Sequence, residues 1–287
     1  MARAGQTAKD GGFLRASMAR AMTAGVRVAE SHPYAWKFAW EAVHRLPFLL
    51  PHDRSYAALR HFVAIESTGL FLDVGANDGI SALSFRKFSK VHRILSVEPN
   101  PLLEPSLSKI KAADPLFDYR IVAAGAAAGR TTFFVPVYRH IVLHTCASAT
   151  RDHVLDAVRK SFGPKVAAGI VVKSFDSDII ALDTLDLNPA IIKIDAEGFT
   201  YAALRGMHDT VQRSRPLVIF ELDRSGYDQS AEYFRRLDYE LLGYDPVQDR
   251  FLRDFTSPDQ VIGEASGHRN MFAVPQEKSG SLPFAEP

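Results

Sequence analysis

The sequence predicts an α/β protein with an open, mostly parallel sheet flanked by helices. From Leu70 onward, short apolar runs alternate with helical patterns, as in parallel sheets that are covered on both faces. The first run is followed by a glycine turn and a helix, in the segment FLDVGANDG at positions 71–79. A strand, a glycine turn and a helix in succession bring backbone groups close to a ligand. Four of the runs also carry an acid at or beside their ends, namely Asp73, Glu98, Asp195 and Glu221.

Composition narrows the class of protein. The 287 residues suit one large α/β domain with an appendage, or two small domains. Lys and Arg total 34 against 33 for Asp and Glu, which argues against a nucleic-acid partner. Cys146 is the only cysteine, so an internal disulfide cannot form, as suits a reducing compartment. No apolar run reaches the roughly 18–20 residues of a membrane span. No secretory signal is evident, and we expect a cytoplasmic protein.

Residues 1–55 are predicted to form a helical extension whose first 12 or so residues are disordered. Apolar residues recur at helical spacing over positions 13–26 with arginines between them, which predicts a basic amphipathic helix. An aromatic segment, YAWKFAW at 34–40, holds both tryptophans. A cap packed on the sheet is the favoured interpretation. The alternative is a peripheral membrane contact through the basic helix.

Residues 56–275 are predicted to form the main domain, and residues 276–287 a flexible tail. Strands are predicted at Leu70–Val74, Ile94–Glu98, Tyr119–Ala123, Ile191–Ile194, Leu217–Glu221, Tyr239–Leu242 and Met271–Val274. Helices are predicted at Tyr56–Ile65, Ser81–Phe88, Leu102–Ala112, Tyr201–Met207 and Ser230–Arg236. Arg130–Val137 and Gly169–Phe175 are predicted as extra strands, with a loop around His140–Lys160 between them.

The first turn does not follow the dinucleotide fingerprint. That fingerprint needs a second glycine two positions after the first, so that the backbone can approach a pyrophosphate. Here Asn77 and then Asp78 follow Gly75, and the next glycine is Gly79. A polar and an acidic side chain suit a cationic or amino-acid end, such as that of S-adenosylmethionine. These four residues, with Asp73, are therefore candidate cofactor-binding residues. The alternative is a purely structural turn with Asp78 as a helix cap.

The second strand offers a partner for a nucleoside. Glu98 follows Asp73 by 25 positions, close to the roughly 20-residue offset at which a carboxylate meets ribose hydroxyls. One carboxylate can accept hydrogen bonds from both hydroxyls. Glu98 and Asn100, in the turn EPNP, are therefore predicted to bind the cofactor. A solvated acid at a strand end is the alternative.

A second acidic cluster lies in the segment IIKIDAEG at positions 191–198. Carboxylates that crowd one sheet edge raise one another's pKa, which makes Asp195 and Glu197 candidates for base chemistry or for holding a cation. Alternatively, Asp195 caps the next helix, Glu197 lies in its first turn, and Lys193 neutralises a neighbour.

Together these motifs resemble the FkbM family of S-adenosylmethionine-dependent methyltransferases. The resemblance rests on the segments LDVGANDG, VEPNP, IKIDAEG and FEL, and on the ending RNMFAVP. It runs from Leu70 to Pro275 and implies a Rossmann-like class I methyltransferase fold with seven strands, the last antiparallel. It also implies S-adenosylmethionine as methyl donor and an oxygen acceptor, often a hydroxyl on a sugar, a glycan or a secondary metabolite. Two positions depart from the family pattern: Asp78, where the family has an apolar residue, and Ala196, where it has valine.

We assign Asp195 and Glu197 to the region of the transferring methyl as the candidate catalytic residues, with one of them as the general base or as the carrier of a divalent cation. A general base is favoured over a divalent cation, because no tight His/Asp cluster is evident, and no metal ligand is predicted. His140 and His144 lie four apart on a predicted strand, where solvated or hydrogen-bonding histidines are expected rather than ligands. Two alternatives remain: a non-catalytic module that binds a nucleoside ligand, and a nucleotide-dependent oxidoreductase, which would lack its phosphate glycines.

Overall fold

The computed structural model describes residues 32–45, 52–196, 198–221, 227–253 and 270–284, without the side chains of 39 and 42–45. Glu197 and the predicted basic helix of residues 13–26 lie outside these ranges. Two compact units divide the chain. The larger comprises residues 46–133 and 174–287, and the smaller comprises residues 1–45 and 134–173.

The larger unit is built on an eight-stranded sheet. Its strands are β1 (Leu70–Val74), β2 (Arg93–Val97), β3 (Phe117–Arg120), β8 (Pro189–Ile194), β9 (Leu217–Glu221), β10 (Tyr239–Asp245), β11 (Arg250–Leu252) and β12 (Asn270–Pro275). Their spatial order is β11-β10-β12-β9-β8-β1-β2-β3. β1 pairs parallel with β2 and β8, whereas β12 runs antiparallel between β9 and β10. The predicted α/β fold with a mostly parallel sheet is thus confirmed.

The predicted count of seven strands is wrong, because β11 adds an eighth. This strand forms a hairpin with β10, pairing Gly243 with Leu252 in antiparallel register. Asp249 turns the chain with a positive φ of 55°. Three residues are too few to show an alternating pattern, so the sequence gives no periodic signal for this strand.

Both faces of the sheet are buried, which explains the continuous apolar runs. Successive residues of a strand point to opposite faces. In β8, Ile192 and Ile194 pack into one core cluster and Ile191 into the other. In β1, Leu72 and Phe71 divide in the same way. The central strands therefore need side chains that are apolar on both faces.

Helices flank this sheet. They are α2 (Leu59–Ile65), α3 (Ile80–Phe85), α4 (Glu104–Ala113), α7 (Thr200–Arg205), α8 (His208–Ser214), α9 (Tyr227–Arg236) and α10 (Gln276–Ser279). Short 3₁₀ helices occur at Arg54–Ala58, Pro101–Leu103 and Leu182–Leu185. The segment predicted as a tail thus begins with a helix, and Glu277 in it pairs with Arg215 at 2.8 Å. Within the described ranges, no helix has the length and apolar character needed to cross a membrane.

The remaining elements are α1 (Pro33–Arg45), β4 (Ala123–Ala124), β5 (Gly129–Tyr138), β6 (Ile141–Val142), α5 (Arg151–Phe162), α6 (Pro164–Ala167) and β7 (Ile170–Ile180). The predicted loop around His140–Lys160 is wrong, because most of α5 lies within it. Val154, Val158 and Phe162 recur at helical spacing and are buried. The polar residues between them mask this stripe in the sequence.

The smaller unit has its own aromatic core. Trp36 of α1 packs with Leu143, Val158 and Phe162. His144 lies against the rings of Trp36 and Trp40, with centroids 5.1 and 5.2 Å away. This histidine belongs to an aromatic cluster.

Candidate active site

The turn after β1 is fixed by its own backbone. Gly75, Asn77 and Gly79 all have positive φ, of 74°, 53° and 90°. The N–H groups of Gly75 and Ala76 donate to Val97 O, and that of Gly79 donates to Ala76 O. The N–H groups of Asn77 and Asp78 donate to side-chain oxygens of Glu98 and Asn77. All five N–H groups from 75 to 79 are therefore used within the protein, and none is left to cradle a phosphate.

Gly75 is required by a close approach of two strand ends. A Cβ on Gly75 would lie 1.8 Å from Asp195 O and 2.7 Å from Asp195 C. The Asp195 N–H also donates to Val74 O at 3.0 Å. The glycine thus lets the end of β8 pack directly on the turn, which brings the first and third sequence motifs together.

Glu98 closes the turn from the side of β2. Its two oxygens accept hydrogen bonds from Asn77 N at 2.8 Å and Asn100 N at 2.9 Å. The residue is 7% exposed, and burial raises the pKa of its carboxyl to about 7, against the lowering effect of those two hydrogen bonds. A carboxylate has about four acceptor positions, so two remain for a ligand.

Asn100 adds a donor to the same corner. Its Oδ1 accepts from Leu102 N at 3.1 Å. Its Nδ2 is buried and has no hydrogen-bond partner within the part of the chain that the structure describes. Since buried amide groups are normally satisfied, this Nδ2 is suited to an acceptor that is not part of the protein.

Asp73 supports the turn from beneath. It is fully buried, and its Oδ2 accepts from Ser81 Oγ at 2.5 Å and Ser96 Oγ at 3.1 Å. Lys193 Nζ lies 3.3 Å from its Oδ1 and donates to Gly75 O at 2.6 Å. A ligand would have to displace one of these groups to contact the Asp73 carboxylate.

Lys193 joins the motifs electrostatically. Although burial lowers its pKa, the carboxylates of Asp73 and Asp195 outweigh that effect and hold the pKa above its usual value. The ammonium is therefore charged, and it lies 3.8 Å from Asp195 Oδ2. The Asp195 side chain is 40% exposed, so this carboxylate faces outward whereas Asp73 does not. In the described ranges, no three His, Cys, Asp or Glu side chains form a group that could hold a metal ion.

Sequence reasoning missed a segment that crosses this edge of the sheet, His52–Tyr56. His52 contacts Ser84 of α3, and its ring packs edge-on against Tyr56 with centroids 4.5 Å apart. Tyr56 is 2% exposed, and burial together with the charges of Asp73 and Asp195 raises its pKa well above the usual value. The segment has no motif spacing, and its partners are distant in sequence, so a pattern search could not find it.

The fold is α/β with a mostly parallel sheet whose acidic strand ends meet at one edge, and the family comparison specifies the class. The family described as Methyltransferase FkbM domain matches residues 73–246, more than half of the chain. The protein belongs to the FkbM methyltransferase family, and the predicted family is confirmed. No curated protein matches the sequence.

Solved methyltransferase structures resemble the chain at low identity. Methyltransferase FkbM from Methylobacillus flagellatus KT is 16% identical over 72% of this chain and 43% of that chain, with a TM-score of 0.45. Precorrin-6y C5,15-methyltransferase from Geobacter metallireducens GS-15 is 10% identical over 75% and 84%, with a TM-score of 0.35. The plantazolicin methyltransferase BpumL in complex with SAH is 9% identical over 90% and 97%, with a TM-score of 0.36. The chain thus spans less than half the length of the Methylobacillus protein.

Proposed function

We propose that this protein transfers a methyl group from S-adenosylmethionine to a hydroxyl oxygen on a sugar, a glycan or a secondary metabolite. The observation that carries the donor assignment is the corner made by Glu98. Its carboxylate keeps acceptor positions for ribose hydroxyls, while all five N–H groups of the glycine turn are used internally. A nucleoside without phosphates fits this corner, and a dinucleotide pyrophosphate does not.

The residues present fit the donor. Glu98 would accept from the ribose, and Asn100 Nδ2 would supply a hydrogen bond from the same side. The turn Gly75–Gly79 would enclose the amino-acid end of the donor. Asp73 would act indirectly by fixing that turn. Its Oδ2 accepts from Ser81 and Ser96, and its Oδ1 lies 3.3 Å from the Lys193 ammonium, which donates to Gly75 O.

The acceptor would approach the outward carboxylate of Asp195. When bound, the donor supplies a methyl group on a sulfonium, which is displaced in line. The protein must therefore orient the hydroxyl and assist the loss of its proton. We assign these tasks to Asp195 and Glu197, with the charge of Asp195 held in place by Lys193 at 3.8 Å.

We favour proton removal by protein groups over a divalent cation. Asp195 is bonded through Lys193 to the protein's own charge network. A cation at this edge would have to compete with that ammonium for the carboxylates. Activity is therefore expected to survive dialysis against a chelator. Loss of activity with EDTA and its recovery with Mg²⁺ would show that a metal is needed.

Binding and turnover test the proposal separately. In calorimetry, S-adenosylmethionine and its demethylated product S-adenosylhomocysteine (SAH) should bind, and NAD should not bind. Mass spectrometry should then find a gain of about 14 Da, one methylene unit, on a hydroxyl compound from a panel of sugars and phenols. Asp195→Ala and Glu197→Ala should lower turnover and keep SAH binding, whereas Asp152→Ala, at an exposed position of α5, should change neither. NAD binding without SAH binding would refute the donor assignment, and methylation at nitrogen or carbon would refute the acceptor class.

A further inference from the structure

We propose that His52 is a further catalytic residue, which receives the proton of the acceptor hydroxyl while Asp195 stabilises the resulting imidazolium. This inference rests on the proposed function and specifies how the hydroxyl is deprotonated. In the step, the hydroxyl oxygen forms a bond to the methyl carbon, and the methyl–sulfur bond breaks with its electrons left on sulfur. The O–H proton passes to a ring nitrogen of His52 and then to water.

The position of His52 is set by Ser84. The His52 backbone N donates to Ser84 Oγ at 3.2 Å, and the ring Nδ1 lies 2.8 Å from the same oxygen. Ser84 is buried on α3, one helical turn after Ser81, so the two side chains lie on one face of the helix. Ser81 in turn donates to Asp73. His52 is thereby fixed within about one helical turn of the carboxylate network.

Tyr56 gives a second, independent placement. The His52 ring contacts the Tyr56 ring. Tyr56 follows Ser55, whose Oγ accepts from Asn270 Nδ2 at 2.9 Å. Asn270 pairs with Glu221 at the carboxyl end of β9, so this segment lies at the edge where the strand ends gather. The imidazole therefore lies at this edge of the sheet, and His52 is an exposed residue.

The contact with Ser84 allows the tautomer that the proposed step requires. Ser84 Oγ already accepts the His52 backbone N–H, and its second lone pair can accept Nδ1–H. In that tautomer Nε2 carries a lone pair, which is what a proton acceptor requires. Ser84 is accordingly a positioning residue.

The surrounding charges suit a base that works near neutral pH. Packing of protein atoms around the ring lowers the pKa of His52, as does Lys193, while Asp53, Asp195 and Asp73 oppose them. The imidazole is therefore neutral and ready to accept a proton at pH 7. Once it is protonated, the carboxylate of Asp195 favours the charged ring.

Kinetics of the His52 variants test the assignment on the hydroxyl compound that the panel identifies. His52→Gln and His52→Ala should lower kcat by about 10²–10⁴-fold while the Kd for SAH stays within about twofold. The wild-type rate should rise with pH up to a pKa at or below the ordinary histidine value of about 6.5, and His52→Gln should lose that rise. Ser84→Ala should lower kcat by a smaller factor than the His52 variants do, and it should shift the pH at which the rate rises. His153→Gln, a matched exposed histidine on α5, should match the wild type.

Several outcomes would overturn the assignment. A His52→Gln enzyme within about threefold of wild type that keeps its pH rise would do so, as would loss of SAH binding in that variant. Nitrogen-15 NMR of the wild type gives a test that needs no variant, because a proton on Nε2 instead of Nδ1 contradicts the proposed tautomer. If the wild type neither binds SAH nor methylates any hydroxyl, the proposed function itself fails, which is a different result.

Discussion

Replacing Gly75 by alanine should destabilise the protein and, on the proposed function, abolish SAH binding, because it displaces the turn that would enclose the donor. Two costs add at this residue. The first is conformational, because a φ of +74° lies in the left-handed region and costs a non-glycine residue about 1–2 kcal/mol. The second is steric. The new Cβ would lie 1.8 Å from Asp195 O, far inside the 3.0 Å that real Cβ contacts keep.

The steric cost is large because the obstacle is backbone. Asp195 O cannot rotate away as a side chain would, so β8 and the turn must separate. Overpacking of this kind costs about 1–3 kcal/mol, and sometimes more. The free energy of unfolding should therefore fall by about 2–5 kcal/mol for Gly75→Ala, a large part of the roughly 5–15 kcal/mol that a domain has.

Two other glycines separate these costs. Gly163 has a φ of +83° and a ψ of 168°, a backbone conformation that is essentially restricted to glycine, and a methyl group added to it would meet no atom within 4 Å. Gly163→Ala should therefore lose only a conformational part, about 1–3 kcal/mol. Gly280 has a φ of −60° and equally open surroundings, so Gly280→Ala should change stability by less than about 1 kcal/mol.

Urea unfolding followed by far-UV circular dichroism measures all three variants. Circular dichroism follows both units, whereas tryptophan fluorescence would follow Trp36 and Trp40, which belong to the smaller unit alone. SAH binding by calorimetry should be lost only in Gly75→Ala. The reasoning is refuted if Gly75→Ala is as stable as Gly163→Ala and binds SAH as the wild type does.

Three further predictions concern the buried charges of Asp73 and Glu98. Asp73→Asn should lower the free energy of unfolding by about 3–5 kcal/mol, because it leaves the Lys193 ammonium buried without its nearest carboxylate. A double-mutant cycle with Lys193→Met, followed by urea unfolding, measures the coupling between the two residues. A cost below about 1 kcal/mol for Asp73→Asn would contradict this prediction. The raised pKa of Glu98, about 7 in the folded protein against 4.5, means that the folded state holds this proton more tightly than the unfolded state. Stability should therefore fall as the pH rises from about 4.5 to 7 and then level off, a slope that Glu98→Gln should remove. SAH affinity should instead rise from pH 6 to 8 in the wild type, since the ionised carboxylate is the better acceptor for ribose hydroxyls, and a pH-independent wild-type affinity would count against a Glu98–ribose contact.

Much of the larger unit follows from local pattern. Runs such as Ile191–Ile194 are apolar except for one lysine, which indicates strands that are buried on both faces. The glycines at 75 and 79 mark the turn after the first strand. Parallel strands place their carboxyl ends at one edge, so the grouping of Glu98 with the turn at Asn77 was predictable from spacing. The strand β11 was not predictable, because three residues are too few to show a period. Helix α5 was not predictable either, because its three buried residues are separated by charged and polar ones.

The sequence by itself determined the family, the positions of the main strands along the chain and the edge at which the acids gather. These features depend on residues close in sequence, whose hydrophobic period and turn chemistry are local properties. Only the tertiary structure decided what each acid does. Asp73 and Asp195 look alike in sequence, yet one is fully buried against Lys193 and the other is 40% exposed. Likewise, His52 meets Ser84 across 32 positions of chain. Burial and long-range contact arise from packing, which no local pattern encodes.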